Sequence, residues 1–344
     1  MRTINREEIV TNSGHVVVLK GGNSAEREIS LLSGDAVFQG LQRLGVSSSV
    51  IDVDGNIMAS LAETRPDLVF IMLHGAGGED GVIQGFLETM NLAYSGSNVL
   101  SSALAMDKIK SKLIWQRLGL NTAEFLTLTR SSDWPSILDQ LGTVVVKPVS
   151  GGSSLGIAIV SDADSLQKQY EIARKYDPDV MAERYIEGKE FSITVLDEQL
   201  LPAIQLETTR QFFDFDAKYV DTGTNIICPP DLSQNKLREL DELALKAYQS
   251  LDCEGLVRVD LMQDQDENFF LLEVNTVPGM TSHSFVPMAA KRAGMDFDEL
   301  LLRILEGELS KRIRREAGNR ERNQNERQAG AVDGADTVSE LGKT

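Results

Sequence analysis

Apolar residues recur along this chain with two different periods, and the switch between them divides it. After a polar leader, HVVVLK predicts a buried strand, GGNSAERE a turn, and Ile29 to Leu44 a helix. The apolar positions of that helix, Ile29, Leu32, Ala36, Val37, Leu41 and Leu44, fall three or four residues apart, the signature of one helical face. SSSVIDVD and DLVFIML predict two further strands and GVIQGFLETM a second helix. Strands and helices thus alternate as in an open parallel α/β sheet. A longer helical pattern covers about Asn98 to Leu118, with Leu100, Leu104, Leu113, Ile114 and Leu118 as its apolar set.

Beyond Asn121 the texture changes to Gly-punctuated strand pairs, TVVVKPVSGGSSLGIAIV and FSITVLDEQLLPAIQLE, with a helix SLQKQYEIARKY between them. Antiparallel pairs flanking a helix indicate an α+β module. Then come an irregular stretch, TTRQFFDFDAKYVDTGTNIICPPDLS, a helix around KLRELDELALKAYQSLD, and two strands, GLVRVDLMQ and FFLLEVNT. An irregular stretch of that length points to a lid or binding loop. The expected organisation is therefore a leader over 1–14, an N-terminal α/β domain over 15–110, a central subdomain over 111–190, a C-terminal subdomain over 191–310 and a disordered tail over 311–344. No internal repeat is visible.

Charge narrows the function classes. Of 344 residues, 34 are Lys or Arg and 52 are Asp or Glu, a balance of −18. With 42% apolar residues, disorder of the whole chain is excluded. The acidity disfavours nucleic acid and anionic membranes as partners. Residues 311–344 carry a balance of +2, which leaves −20 for the rest. Two cysteines, Cys228 and Cys253, make neither a disulfide framework nor a thiolate zinc site, so a reducing compartment is expected. The first fourteen residues lack the apolar run of a signal peptide, and no stretch approaches a membrane span, which makes the cytoplasm the expected location.

Several segments carry candidate chemistry. In VVVKPVSGGSS a β-branched strand delivers Lys147 to a glycine-rich loop, which suits nucleotide phosphates; a surface lysine before a turn is the plainer alternative. Alternate positions of two strands carry Arg258 with Asp260, and Glu273 with Asn275. Two carboxylates and an amide oxygen are hard ligands matched to Mg²⁺. A solvated strand face is the alternative, although Glu273 sits in an apolar run where an unpaired carboxylate is costly. VNTVPGMTSHS turns at Pro278 and Gly279 and presents Thr281, Ser282 and Ser284, suited to a small carboxylate or simply to capping a helix. His283 has no accompanying acid or nucleophile motif. Glu26 sits in the first turn of a helix, either as a dipole-friendly residue or as an ammonium ligand. His74 stands with a glycine loop at the C-terminal end of a strand, where open α/β sheets bind ligands. H-E-x-x-H and G-x-x-x-x-G-K-[ST] are absent, which removes the commonest zinc-protease and P-loop readings.

Taken in order, GGNSAEREIS, HGAGGEDGVIQG, YSGSNVLSSALAMDK, VVVKPVSGGSSLGI, AERYIEGKEFS, DAKY, VRVD and LLEVNTVPGMTSHSFVPMAA closely resemble the D-alanine–D-alanine ligases, ATP-grasp enzymes of bacterial cell-wall synthesis. The resemblance runs from about His15 to Glu306. It implies an ATP-grasp fold and ATP-dependent joining of two D-alanines through a D-alanyl phosphate. It also implies two Mg²⁺ ions, with Mn²⁺ able to substitute, and a homodimer. By residue it implies Lys108 and Lys147 on ATP phosphates, and Lys218 reaching the γ-phosphate from a mobile loop. Glu183 falls on the adenine side with Tyr185 and Ile186, Glu190 at the ribose, and Asp260, Glu273 and Asn275 on the metal. Arg258 and the Gly279 backbone are implied as oxyanion stabilisers. Glu26 is implied at the first D-alanine's ammonium, with Ser153 and Tyr219 as its partners and His74 adjoining. Ser284 and Phe285 are placed at the second D-alanine. The SGGSS flap has no charged residue before Ser153, and Phe285 stands where Leu is common. Tyr219 speaks for D-alanine over D-lactate as acceptor. A D-Ala–D-Ser or D-Ala–D-lactate ligase, or a catalytically silent ATP-binding regulator, are the alternatives.

Overall fold

The computed structural model describes residues 5–53, 55–152, 155–207 and 225–314. Three sheets organise them. In the first, β1 (Val16–Lys20) runs parallel between β2 (Ser48–Asp52) and β3 (Leu68–Ile71), in the order β2-β1-β3. The residues of β1 and β3 are almost all buried, because helices cover both faces of such a sheet. The polar leader contributes a short helix, Arg6–Asn12, that places Ile9 in this core.

The helix Arg27–Leu44 departs in one respect from its predicted face. Leu32 is 57% exposed, whereas Ser30 and Ser33 are fully buried. The serines are inside because they have work for their hydroxyls: Ser30 Oγ accepts from the Gly21 amide (2.8 Å) and donates to the Met72 carbonyl (2.6 Å), and Ser33 Oγ accepts from the Met280 amide (3.1 Å). Polar groups on that face satisfy loop backbone that would otherwise be buried without partners.

The single helical pattern over Asn98–Leu118 is two helices, Val99–Met106 and Lys108–Arg117. Asp107 between them is extended, and its carboxylate caps the second helix by accepting from the Lys110 amide (2.9 Å). The predicted apolar face is also turned: Leu100, Leu113 and Leu118 are exposed, and the second helix buries Lys108, Ser111, Lys112 and Trp115. Buried lysines imply buried acceptors, and both have them, as set out below.

The second sheet is antiparallel, with four strands in the order β4-β7-β5-β6: β4 (Phe125–Leu128), β5 (Val144–Pro148), β6 (Ala158–Val160) and β7 (Val180–Arg184). Helices Trp134–Leu141 and Ala163–Ala173 pack on it. The third holds β8 (Lys189–Leu196), β9 (Gln199–Leu200), β10 (Ile204–Glu207), β11 (Asn225–Ile227), β12 (Leu256–Gln263) and β13 (Phe269–Asn275), in the order β11-β10-β8-β12-β13 with β9 on β8. Helix Gln234–Ser250 covers this sheet through Leu240, Ala244, Ala247 and Tyr248. A C-terminal helix at 297–314 returns to the first sheet and shares its core through Leu300, Leu301, Ile304 and Leu305. Lys311, placed by sequence at the start of a disordered tail, is buried in it and pairs with Glu308 at 2.6 Å. Among the described residues no helix is long and apolar enough to cross a membrane.

Candidate active site

The antiparallel register of β12 and β13 sets Arg258 opposite Asn275 and Asp260 opposite Glu273. All four therefore stand on one sheet face, since residues two apart share a face and directly paired residues face the same way. Arg258 grips Asp260 in a fork, with Nη2 to Oδ2 at 2.7 Å and Nε to Oδ1 at 3.0 Å. From β8, directly across from Asp260, Ser192 Oγ donates to Asp260 Oδ1 at 2.6 Å. Lys108 Nζ lies 3.1 Å from Glu273 Oε2 and donates to the Gly151 carbonyl at 2.6 Å, tying the glycine flap to the Glu273 carboxylate. Asp260, Glu273 and Asn275 offer two carboxylates and one amide oxygen on one face, a donor set that fits a hard divalent cation sharing its shell with phosphate. Among the described residues no three His, Cys, Asp or Glu side chains converge as a metal centre.

Next to this face lies a second charged group. Lys147 on β5 and Glu183 on β7 pair through Lys147 Nζ and Glu183 Oε1, and Lys112 Nζ sits 2.8 Å from Glu183 Oε2. Burial pushes the Glu183 carboxyl up, but the charges of Lys112 and Lys147 overcome it and hold the group down at about 2. The sequence singled out Lys147 and Glu183 but not Lys112. Tyr185 and Ile186, half-buried, occupy the link from β7 to β8, and Glu190 follows on β8 opposite Met262. The resulting cleft is bounded by the four-stranded sheet on one side and the six-stranded sheet on the other.

On the third side the N-terminal sheet contributes Glu26, at the start of helix Arg27–Leu44. Its carboxylate is enclosed by glycines: a Cβ on Gly75 would come within 2.9 Å of Glu26 Oε2, and one on Gly152, in the flap, within 2.7 Å. His74 is buried, with Nε2 lacking a partner among the described residues. Burial, aided by the Arg258 charge, pulls its imidazole down to about 4, so it is neutral at ordinary pH. Sequence reasoning passed over Glu79 in the same loop. Its Oε2 accepts from the Gly75 amide (2.7 Å), and burial together with the Glu26 charge pushes its carboxyl up to about 8.

The Gly279 loop completes the site. Ser284 heads helix Phe285–Arg292 without capping it; its hydroxyl turns back to the Thr281 amide (3.1 Å) and hydroxyl (2.9 Å). A Cβ on Gly279 would fall 2.8 Å from Ser284 Oγ. The Phe285 ring lies 5.8 Å from the Arg258 guanidinium, so the departure from Leu adds a cation–π contact. His283 is exposed. Ser153, Lys218 and Tyr219 lie outside the described residues. The structure thus brings together Glu26, His74, Lys108, Lys147, Glu183, Arg258, Asp260, Glu273, Asn275, Gly279, Ser284 and Phe285 around one cleft.

Comparison with known proteins places this cleft in a family. The model described as "D-ala D-ala ligase C-terminus" matches residues 114–306, and "D-ala D-ala ligase N-terminus" matches 56–97. The chain is 50% identical to a D-alanine–D-alanine ligase of Saccharophagus degradans over 85% of its own length and 93% of the relative's. It is also 50% identical to one of Nitrosococcus oceani, over 87% and 95% respectively. Among solved structures, the D-alanine–D-alanine ligase of Bacillus anthracis superposes with a TM-score of 0.78 at 36% identity, covering 88% of this chain and 99% of that one. The same enzyme complexed with ATP superposes with a TM-score of 0.77 at 33% identity, with the same coverage.

Proposed function

The chain belongs to the D-alanine–D-alanine ligase family, and from that premise we propose that it joins two D-alanines into D-alanyl-D-alanine, with ATP converted to ADP and phosphate, for peptidoglycan precursor synthesis. The observation that carries this reading is the meeting of three elements at one cleft: the flap on Lys108, Lys108 on Glu273, and Gly152 of the flap against Glu26. A flap that touches both the phosphate lysine and the amino-acid carboxylate couples nucleotide to substrate.

In this assignment Lys108 and Lys147 bind ATP phosphates and Lys218 reaches the γ-phosphate. Glu183, Tyr185, Ile186 and Glu190 hold adenine and ribose. Asp260, Glu273 and Asn275 would hold Mg²⁺, which neutralises the triphosphate oxygens. Glu26 takes the ammonium of the first D-alanine, supported by Ser153 and Tyr219, with neutral His74 beside it. One carboxylate oxygen of that D-alanine attacks the γ-phosphorus, and the bond to ADP breaks, giving an acyl phosphate. Ser284 and Phe285 orient the second D-alanine, whose amine attacks the acyl carbon. Arg258 and the Gly279 amide face the resulting oxyanion, which collapses with loss of phosphate as the nitrogen gives up a proton. A homodimer in the cytoplasm completes the proposal. Purified protein should release ADP only when D-alanine and Mg²⁺ are both supplied, with a product of dipeptide mass. Faster turnover with L-alanine, or with D-lactate as acceptor, would overturn the assigned specificity.

A further inference from the structure

The ATP site as assigned employs Lys108 and Lys147 but gives no task to Lys112, one helical turn beyond Lys108. Lys112 has no exposed side-chain surface. Its ammonium is enclosed by the Glu183 carboxylate (2.8 Å), the Thr122 hydroxyl (2.6 Å) and the face of Phe125, 5.8 Å to the centroid. Fully buried among these neighbours, Lys112 is not placed to touch a ligand. Phe125 lies directly opposite Glu183 in the β4–β7 register, and Thr122 in turn donates to the Leu271 carbonyl on β13 (2.7 Å). One ammonium thus fixes Glu183 to both sheets that bound the cleft.

The charges explain why. Burial pulls the Lys112 pKa down and the Glu183 charge opposes it; with both lysines protonated, Glu183 is shared by two ammonium groups and the trio carries a surplus of one positive charge. Without Lys112, Lys147 and Glu183 would form a neutral buried pair, and drawing Lys147 away would strand a buried carboxylate, which is strongly unfavourable. We propose that Lys112 is a positioning residue for nucleotide binding: it is the fixed counter-ion of Glu183 that releases Lys147 to the ATP phosphates and keeps Glu183 ionised in place. The inference rests on the ATP-ligase reading and deepens it.

A double-mutant cycle in the full chain tests it, using Lys112→Met, Glu183→Gln and the pair, with ATP binding measured by calorimetry and steady-state KM for ATP and D-alanine. Lys112→Met should weaken ATP binding at least tenfold while KM for D-alanine moves less than twofold. In the Glu183→Gln background the same Lys112 change should alter ATP affinity by less than threefold, because Lys112 acts only through that carboxylate. Unchanged ATP affinity in folded Lys112→Met would overturn the proposal. If Lys112→Met alone does not fold, the comparison of Glu183→Gln with the double variant decides, and a further loss above threefold overturns it. Failure of the unaltered chain to bind ATP would instead overturn the ligase reading itself.

Discussion

His74 offers a direct measure of how dry the amino-acid side of the cleft is. Its ring is buried, held by the Val277 backbone, and faces the Arg258 charge. Transferring a proton to it costs both desolvation and repulsion, which lowers its titration from the ordinary 6.5 to about 4. Because the folded value lies below the unfolded one, His74 supports the fold fully above pH 6.5. That support is lost as pH falls through about 4. The shift corresponds to about 3 kcal/mol in full, of which about 2 kcal/mol is already lost at pH 5. The chain has only three histidines, so their ring C–H resonances can be followed by NMR through a titration from pH 8 to 4, with His74→Asn identifying the one of interest. Denaturant unfolding of the same variant should show a pH dependence flatter than the parent's by about 2 kcal/mol between pH 7.5 and 5. A His74 midpoint near 6.5, or parallel pH profiles for the two proteins, would refute the picture of a neutral imidazole in a water-poor pocket.

Other substitutions separate the parts of the site. Gly152→Ala brings a methyl within 2.7 Å of Glu26 Oε2, so KM for D-alanine should rise by about tenfold, equivalent to about 1.4 kcal/mol, with ATP binding intact. Lys147→Ala leaves Glu183 paired with Lys112 and the fold in place, so steady-state kinetics should record a fall in kcat/KM for ATP of roughly 100-fold while the melting curve hardly moves. Glu308→Ala strands the buried Lys311 ammonium at the contact between the C-terminal helix and the Gly96 loop. Unfolding free energy should drop by about 3–5 kcal/mol, and an unchanged denaturation midpoint would refute that role.

The strands were legible because β-branched apolar runs such as VVVLK and VVVKP carry their own signal, and the alternation in VRVD and LLEVN placed the four polar groups on matched faces. Hydropathy misread the inner face of helix Arg27–Leu44, where serines are buried because loop amides and carbonyls need them. It also ran two helices together across Asp107, whose capping bond is a local competitor to helix continuation. Lys112 and Glu79 were invisible as site residues for a different reason. A lysine reads as solvent-facing until its acceptor is known, and the acceptor, Glu183, is far away in sequence. Glu79 sits in the glycine loop that drew attention to His74, but only its burial beside Glu26 marks it as a neutral acid.

The charge of the chain poses the remaining question: how a protein of −18 receives a triphosphate. Within the described cleft each cation has a carboxylate partner, Lys108 with Glu273, Lys147 with Glu183, and Arg258 with Asp260. The site is thus not a pool of free positive charge, and nucleotide binding must proceed by exchange of partners. On the proposed assignment, Lys108 leaves Glu273 for a phosphate and releases a carboxylate oxygen just where Mg²⁺ is needed. Lys147 leaves Glu183, which Lys112 continues to neutralise. The two exchanges are unequal: the first depends on a cation to take over Glu273, whereas the second has its replacement built in. Phosphate capture by Lys108 should therefore be linked to Mg²⁺ more tightly than capture by Lys147, so that in metal-free buffer Lys147→Ala weakens ATP binding by a larger factor than Lys108→Ala does.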